Sequence, residues 1–233
     1  MFGIGDDSVF TAFEEQELVD PSPRKIVDGR AIYLSRQLQM PKIWGAPVLC
    51  DFGSAVTGHV EHLEDVQPDI YRAPEVVLEA PWSYEIDIWN TACMIWDLFE
   101  GGHLFTGLDP QDQKYRSRAH LAEMVALLGA PPKVLLGAGK SSHKFFTEQG
   151  KRTVDNEMIL CLLLTPDAAR PTGECRAEAP RPNSTSLEMR ETSLEGESRE
   201  KFLAMMRKML QWEPAKRASA KELAEDEWIM EHM

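Results

Sequence analysis

One helical stretch, apolar around most of its circumference, constrains this chain more than any other feature. From about Tyr84 to Glu100, the residues Ile88, Trp89, Ala92, Cys93, Ile95, Trp96 and Phe99 recur at helical spacing. Gly101-Gly102 ends the pattern. A surface helix needs only one apolar stripe, so a helix this apolar is expected at the centre of a core.

The other elements suit that role. A second helix is predicted over 112–128, with Leu121, Met124, Val125 and Leu128 on one face; Gly129 and Pro131-Pro132 stop it. A third starts near Ser198, presents Phe202, Leu203, Met205, Met206, Met209 and Leu210, and ends before Pro214. A last helix starts at Ser219, where Ser219 and Glu222 have capping-box spacing, and buries Leu223 and Trp228. Strand signals are few. Residues 1–5 fit a short strand, and Pro47-Val48-Leu49-Cys50 reads as a buried strand ending at Asp51. Residues 6–46 read as an insert before that strand, polar and acidic at first, with one weak helix and a Pro21-Ser22-Pro23 break. Residues 151–197 carry Pro166, Pro171, Pro180 and Pro182 among many Ser, Thr and Glu residues. They read as a flexible or aberrant insert: a translated intron at 151–182, or a genuine loop. The expected fold class is mainly α, with a small residual β-hairpin.

The chain has 233 residues, 43% hydrophobic and 27% charged, ordinary for a globular protein of one or two domains. Its formal net charge of -13 argues against a nucleic-acid backbone or an anionic membrane as partner and suits a basic peptide. Cys50, Cys93, Cys161 and Cys175 form no CxxC pair and no zinc spacing with histidine, so free thiols in a reducing compartment are expected, Cys50 as a packed thiol. The N-terminus is acidic, unlike a signal peptide, and the longest apolar run, Met158 to Leu164, is too short to cross a bilayer. These features predict an intracellular protein, cytoplasmic or nuclear.

Two glycine patterns are decoys. Gly3-Ile4-Gly5-Asp6-Asp7-Ser8 begins like a nucleotide loop but ends in serine, and its aspartates would repel phosphate. Gly139-Lys140-Ser141 looks like the end of a P-loop, but Val134 stands where the first glycine is required.

The informative constellation is Asp51-Phe52-Gly53, then Tyr71-Arg72-Ala73-Pro74-Glu75, then Asp87-Ile88-Trp89, then Pro214-Ala215-Lys216-Arg217. Each piece alone is weak. Their order and spacing resemble the protein kinase family, over 47–130 and 198–230. Ile86 through Met94, His103-Leu104-Phe105 and the stretch Phe202 to Trp212 look like the SR-protein kinase branch, especially its fungal members. The resemblance implies the C-terminal lobe of a fold that is α+β when complete.

It also implies a set of roles. Asp51 would hold magnesium against nucleotide phosphates, Phe52 would pack to orient the segment, and Gly53 would allow its turn. Asp51 to Glu75, ending in Ala73, Pro74 and Glu75, would be the activation segment. Tyr71 and Arg72 would line the substrate pocket. Glu75 would pair bidentately with Arg217, and Asp87 would cap the central helix; these three are structural. The implied reaction is transfer of phosphate from ATP, with Mg²⁺, to serine or threonine in a protein substrate, one rich in Arg and Ser if the branch resemblance extends to the substrate. Ser54 fits serine/threonine specificity, and 58–70 contains no Ser, Thr or Tyr to phosphorylate. The segment ends in Arg-Ala-Pro-Glu, where the branch has an Arg-Ser-Leu-Glu variant.

A kinase also needs a glycine-rich loop, a lysine paired to a helix glutamate, and an HRDxxxxN loop. None is in this sequence; His62-Leu63-Glu64-Asp65 lies on the wrong side of Asp51. The expectation is a large-lobe fragment whose catalytic base lies upstream of Met1, inactive alone and weak in ATP binding. Trp89, Ile95 and Trp96 would then be partly exposed. The rival reading is a non-catalytic, pseudokinase-like binding module.

Overall fold

A computed structural model describes residues 1–146 and 185–232. The chain divides into two compact units, Met1–Val56 and Thr57–Met233. Among the described residues no helix is long and apolar enough to cross a membrane.

The first unit holds β1 (Phe2–Ile4), α1 (Ser8–Val19), β2 (Arg24–Val27), β3 (Arg30–Tyr33) and β4 (Trp44–Pro47). The sheets are two antiparallel pairs, β1 with β4 and β2 with β3. The insert therefore carries a hairpin besides its helix. The strand predicted at Pro47–Cys50 is displaced: β4 ends at Pro47, and Val48 and Leu49 are exposed. Beyond β4, Val48 and Met1 still exchange backbone hydrogen bonds at 2.7 and 3.0 Å, and among the described residues β4 pairs with β1 alone. Cys50, expected to pack, is exposed.

The second unit is helical: α2 (Pro74–Val77), α3 (Glu85–Glu100), α4 (Ser117–Leu128), α5 (Lys133–Ala138), α6 (Leu187–Arg190), α7 (Gly196–Met209), α8 (Ala220–Ala224) and α9 (Glu227–Glu231). The α3 helix is central, and Gly101 terminates it at φ 66°. Trp89 and Trp96 are 0% and 2% exposed, so the expected exposure of these rings is wrong. Downstream elements cover them. Phe105 stacks on Trp89 at 5.7 Å, and Phe202 of α7 stacks on Trp96 at 6.4 Å. The open face of α3 is instead Met94 and Leu98.

Three helix boundaries differ from the sequence reading. The α4 helix starts at Ser117 because 109–116 forms a polar loop, in which Asp109 accepts from Arg118 at 2.7 Å and Gln113 has φ 53°. The α7 helix starts at Gly196, two residues early. The last helix is two: Ser219 and Glu222 form a capping box on α8, then Asp226 caps α9 by accepting from the Trp228 amide. Most of the region 151–197 lies outside the described residues, but 187–190 and 196–197 are helical.

His120 of α4 is fully buried, its Nδ1 3.0 Å from the Tyr115 hydroxyl. Burial, assisted by the nearby Arg72 charge, pushes its pKa down to about 3. The folded state thus holds the neutral ring while the unfolded chain protonates near pH 6.5. This contribution to stability is complete above about pH 6.5 and falls by about 1.4 kcal/mol per pH unit below it. Urea melts at pH 7 and pH 5.5 should show that loss in the wild type and a smaller one in His120→Phe. Equal pH slopes in the two proteins would contradict this assignment.

Candidate functional site

Asp51-Phe52-Gly53 lies in the first unit, and 71–75, Asp87 and Arg217 lie in the second, so the segment 51–75 crosses the boundary at Val56. Asp51 sits in the left-handed region at φ 65°, ψ 60° and opens a short 3₁₀ turn over Phe52–Ser54. Aspartate tolerates that conformation better than most residues. The turn therefore bends at Asp51 rather than at Gly53. Phe52, expected to pack, is 63% exposed.

In the second unit the segment end is tightly held. Glu75 is fully buried at the start of α2. Arg217 donates from Nη1 and Nη2 to its two oxygens at 2.6 and 2.7 Å. Nη1 also donates to Glu85 O at 3.0 Å, and Nε donates to Gln211 O at 2.9 Å. Its guanidinium lies 5.1 Å from the Trp89 ring centre. Four of the five guanidinium N–H groups thus meet acceptors and an aromatic ring lies against the charge, which helps a buried ion pair offset desolvation.

Arg72 turns into its own segment. It donates to Val66 O and Gln67 O and pairs with Asp65 at 3.2 Å and Asp69 at 3.1 Å. Tyr71 donates its hydroxyl to Asp97 of α3, and His103 Nδ1 lies 2.6 Å from the same Asp97 oxygen. That hydrogen bond, with burial, pushes the Tyr71 phenol up to about 12. Asp87 is not the helix cap. Tyr84 holds that position, and Asp87 occupies the first turn, where its charge still favours the positive end of the helix. It is exposed, with no side-chain hydrogen bond among the described residues; apolar neighbours nonetheless desolvate its carboxyl and raise its pKa.

The sequence reading missed Gln67. Its backbone is left-handed at φ 68°. Its amide nitrogen donates to Ile86 O at 2.8 Å, and its amide oxygen accepts from the Ala73 amide at 2.9 Å. One side chain thereby bridges the segment to α3. Upstream, His62 stacks on Trp82 at 4.7 Å, and Trp82 Nε1 donates to Glu64 O at 2.9 Å. Nothing in a lone glutamine signals such a bridge; only its distance from Ala73 in the fold does. Gln67→Ala should leave thermal stability of the core nearly intact but speed proteolysis between 57 and 72 by about tenfold, for the loss of two partly buried hydrogen bonds. Unchanged cleavage would show that the bridge does not restrain the segment.

Comparison with known proteins supplies the family. The protein kinase domain matches residues 43–229. A serine/threonine protein kinase of Aspergillus fumigatus is 40% identical over 229 residues, which is 97% of this chain and 51% of that protein. Serine/threonine-protein kinase SRPK of Physarum polycephalum is 29% identical over 191 residues, 81% of this chain and 40% of its own length. Human SRSF protein kinase 3 is 30% identical over 182 residues, 78% and 28% respectively. The chain spans at most about half the length of these curated relatives. The chain belongs to the protein kinase family, of the serine/threonine type, and is SR-protein kinase-like.

Proposed function

We propose that this chain is the large-lobe part of an ATP-dependent serine/threonine kinase that phosphorylates Arg/Ser-rich proteins. The observation that carries the reading is the end of the activation segment, anchored by the Glu75–Arg217 pair and edged by the exposed carboxylates of Glu61, Glu64, Asp65 and Asp69. An anchored, acidic segment suits a basic peptide held in extended form. Tyr71 and Arg72 would border the substrate, Arg72 by positioning Asp65 and Asp69. An intracellular setting, cytoplasmic or nuclear, follows from this substrate class, and the reading involves neither nucleic acid nor membrane.

Asp51 is the candidate magnesium ligand. Its carboxylate is exposed and makes no hydrogen bond or ion pair among the described residues. No group of three or more metal-ligating residues occurs among them. One free carboxylate fits a magnesium ion held mainly by nucleotide phosphates and water. ATP would supply the phosphoryl group, and magnesium would neutralise its charge. The 233 residues contain no HRDxxxxN sequence, so no group here can accept the proton of the substrate hydroxyl in the family's manner. Transfer by this chain alone is therefore not expected. The same observation favours the second reading, a kinase-like module that acts by binding.

The test is phosphate transfer from ATP to an Arg-Ser repeat peptide, by this chain and by a form extended through the gene's upstream coding sequence. The kinase reading expects turnover only in the extended form, reduced at least about a hundredfold by Asp51→Asn. No turnover in either form, with cooperative melting of the short chain, would replace it with the binding module.

A further inference from the structure

Residues 6–46 leave β1 and return to β4, two strands paired with each other, and contain none of the kinase motifs. Within them, β2 and β3 form a two-residue hairpin. Its turn residues Asp28 and Gly29 have φ of 51° and 76°, both in the left-handed region that the tightest hairpin turns require. The pairs are Arg24 with Tyr33, Lys25 with Ile32, Ile26 with Ala31 and Val27 with Arg30. The Leu34 amide donates to Pro23 O at 2.8 Å, which sets the phase of the ladder. Pairs 25/32 and 27/30 exchange the internal hydrogen bonds and 23/34 makes one, so the backbone groups of Arg24, Ile26, Ala31 and Tyr33 point outward from the two edges.

Among the described residues neither edge pairs with a further strand, and all eight strand residues are exposed. Proteins usually shield such an edge, and a hairpin with two bare faces is marginal by itself. The two edges differ. The β2 edge follows Pro23 and carries adjacent cations, Arg24 and Lys25, features that blunt strand addition. The β3 edge runs Ala31-Ile32-Tyr33 beyond a single cation, Arg30. By strand alternation Lys25, Val27, Arg30 and Ile32 share one face, the two cations diagonal to each other and the two aliphatics likewise. Arg24, Lys25 and Arg30 make no ion pair among the described residues, whereas nearby Arg36 pairs with Glu17 and Asp20.

We propose that the open β3 edge is a docking strand for an extended peptide segment of another protein, one that alternates acidic and aliphatic residues. Such a segment would take up the outward backbone groups of Ala31 and Tyr33. It would set its carboxylates on the face that carries Arg30 and Lys25, and its aliphatic side chains on the opposite face, beside Ala31 and Tyr33. The charge balance selects a short peptide over a polyanion. Three unpaired cations stand on a chain of net charge -13, and an extended polyanion would meet that field beyond the hairpin, whereas a short peptide meets only the local charges. A second copy of the chain would face the same repulsion.

The test is fluorescence polarisation with the full chain and a labelled octapeptide of alternating Glu and Val, beside one of alternating Lys and Val. The acidic peptide should bind and the basic one should not. Ala31→Pro removes an outward amide hydrogen and no internal ladder bond, and should weaken binding about tenfold. The double variant Lys25→Glu/Arg30→Glu, which leaves the backbone intact, should weaken the acidic peptide by a similar factor of about ten and admit the basic one. Circular dichroism checks that both variants fold as the parent does. Failure of the acidic peptide to bind, equal binding of both peptides, or binding unchanged in the double variant would overturn the proposal. So would sedimentation showing that the chain dimerises through this edge, or tighter binding of single-stranded RNA than of the peptide.

Discussion

The second unit is organised around a charge that could not stand alone. Arg217, from the loop before α8, and Glu75, at the start of α2, are 142 positions apart, and both side chains are essentially excluded from water. Burying two ions costs more than their attraction returns unless further donors find partners. Here Glu85 O and Gln211 O take two further donors, and the Trp89 ring lies against the guanidinium. One guanidinium thus joins the end of the segment 57–75, the head of the central helix and the loop that leads into the C-terminal helices.

Around that junction the segment 57–75 is held by hydrogen bonds, a ring stack and ion pairs of its own. Gln67 ties it to α3, Trp82 and His62 brace its upstream part, and Arg72 is shared by two carboxylates. With no Ser, Thr or Tyr between 58 and 70, the shape does not wait on a phosphate in that stretch. The same arrangement leaves Glu61, Glu64, Asp65 and Asp69 facing solvent. Structure and charge here share residues: Asp65 and Asp69 both orient Arg72 and contribute to the acidic rim.

Much of the helical unit was legible in the sequence, because burial writes a period into a helix. The centrality of α3, the apolar face of α7 and the cap at Ser219 all follow from residue spacing. The burial of Trp89 and Trp96 did not, since their cover, Phe105 and Phe202, comes from positions that periodicity cannot connect to them. The hairpin at 24–33 was missed although Asp28-Gly29 is a turn signal, because its strands have no buried face and so no clean alternation. At the candidate site, residue types pointed to Asp51, Glu75 and Arg217 only through their resemblance to a family pattern. The bonds of Gln67, Asp97 and His103 depend on side chains brought together by the fold, and no spacing announces them.

The most direct test of the central claim is a double-mutant cycle on Glu75→Gln and Arg217→Met, read by urea unfolding of the whole chain. If the buried pair is the junction, each single variant loses about 3–5 kcal/mol, because it strands an uncompensated charge, and the double variant loses clearly less than the sum. Small and additive losses, each below about 1 kcal/mol, would place the pair among ordinary surface contacts and contradict the account.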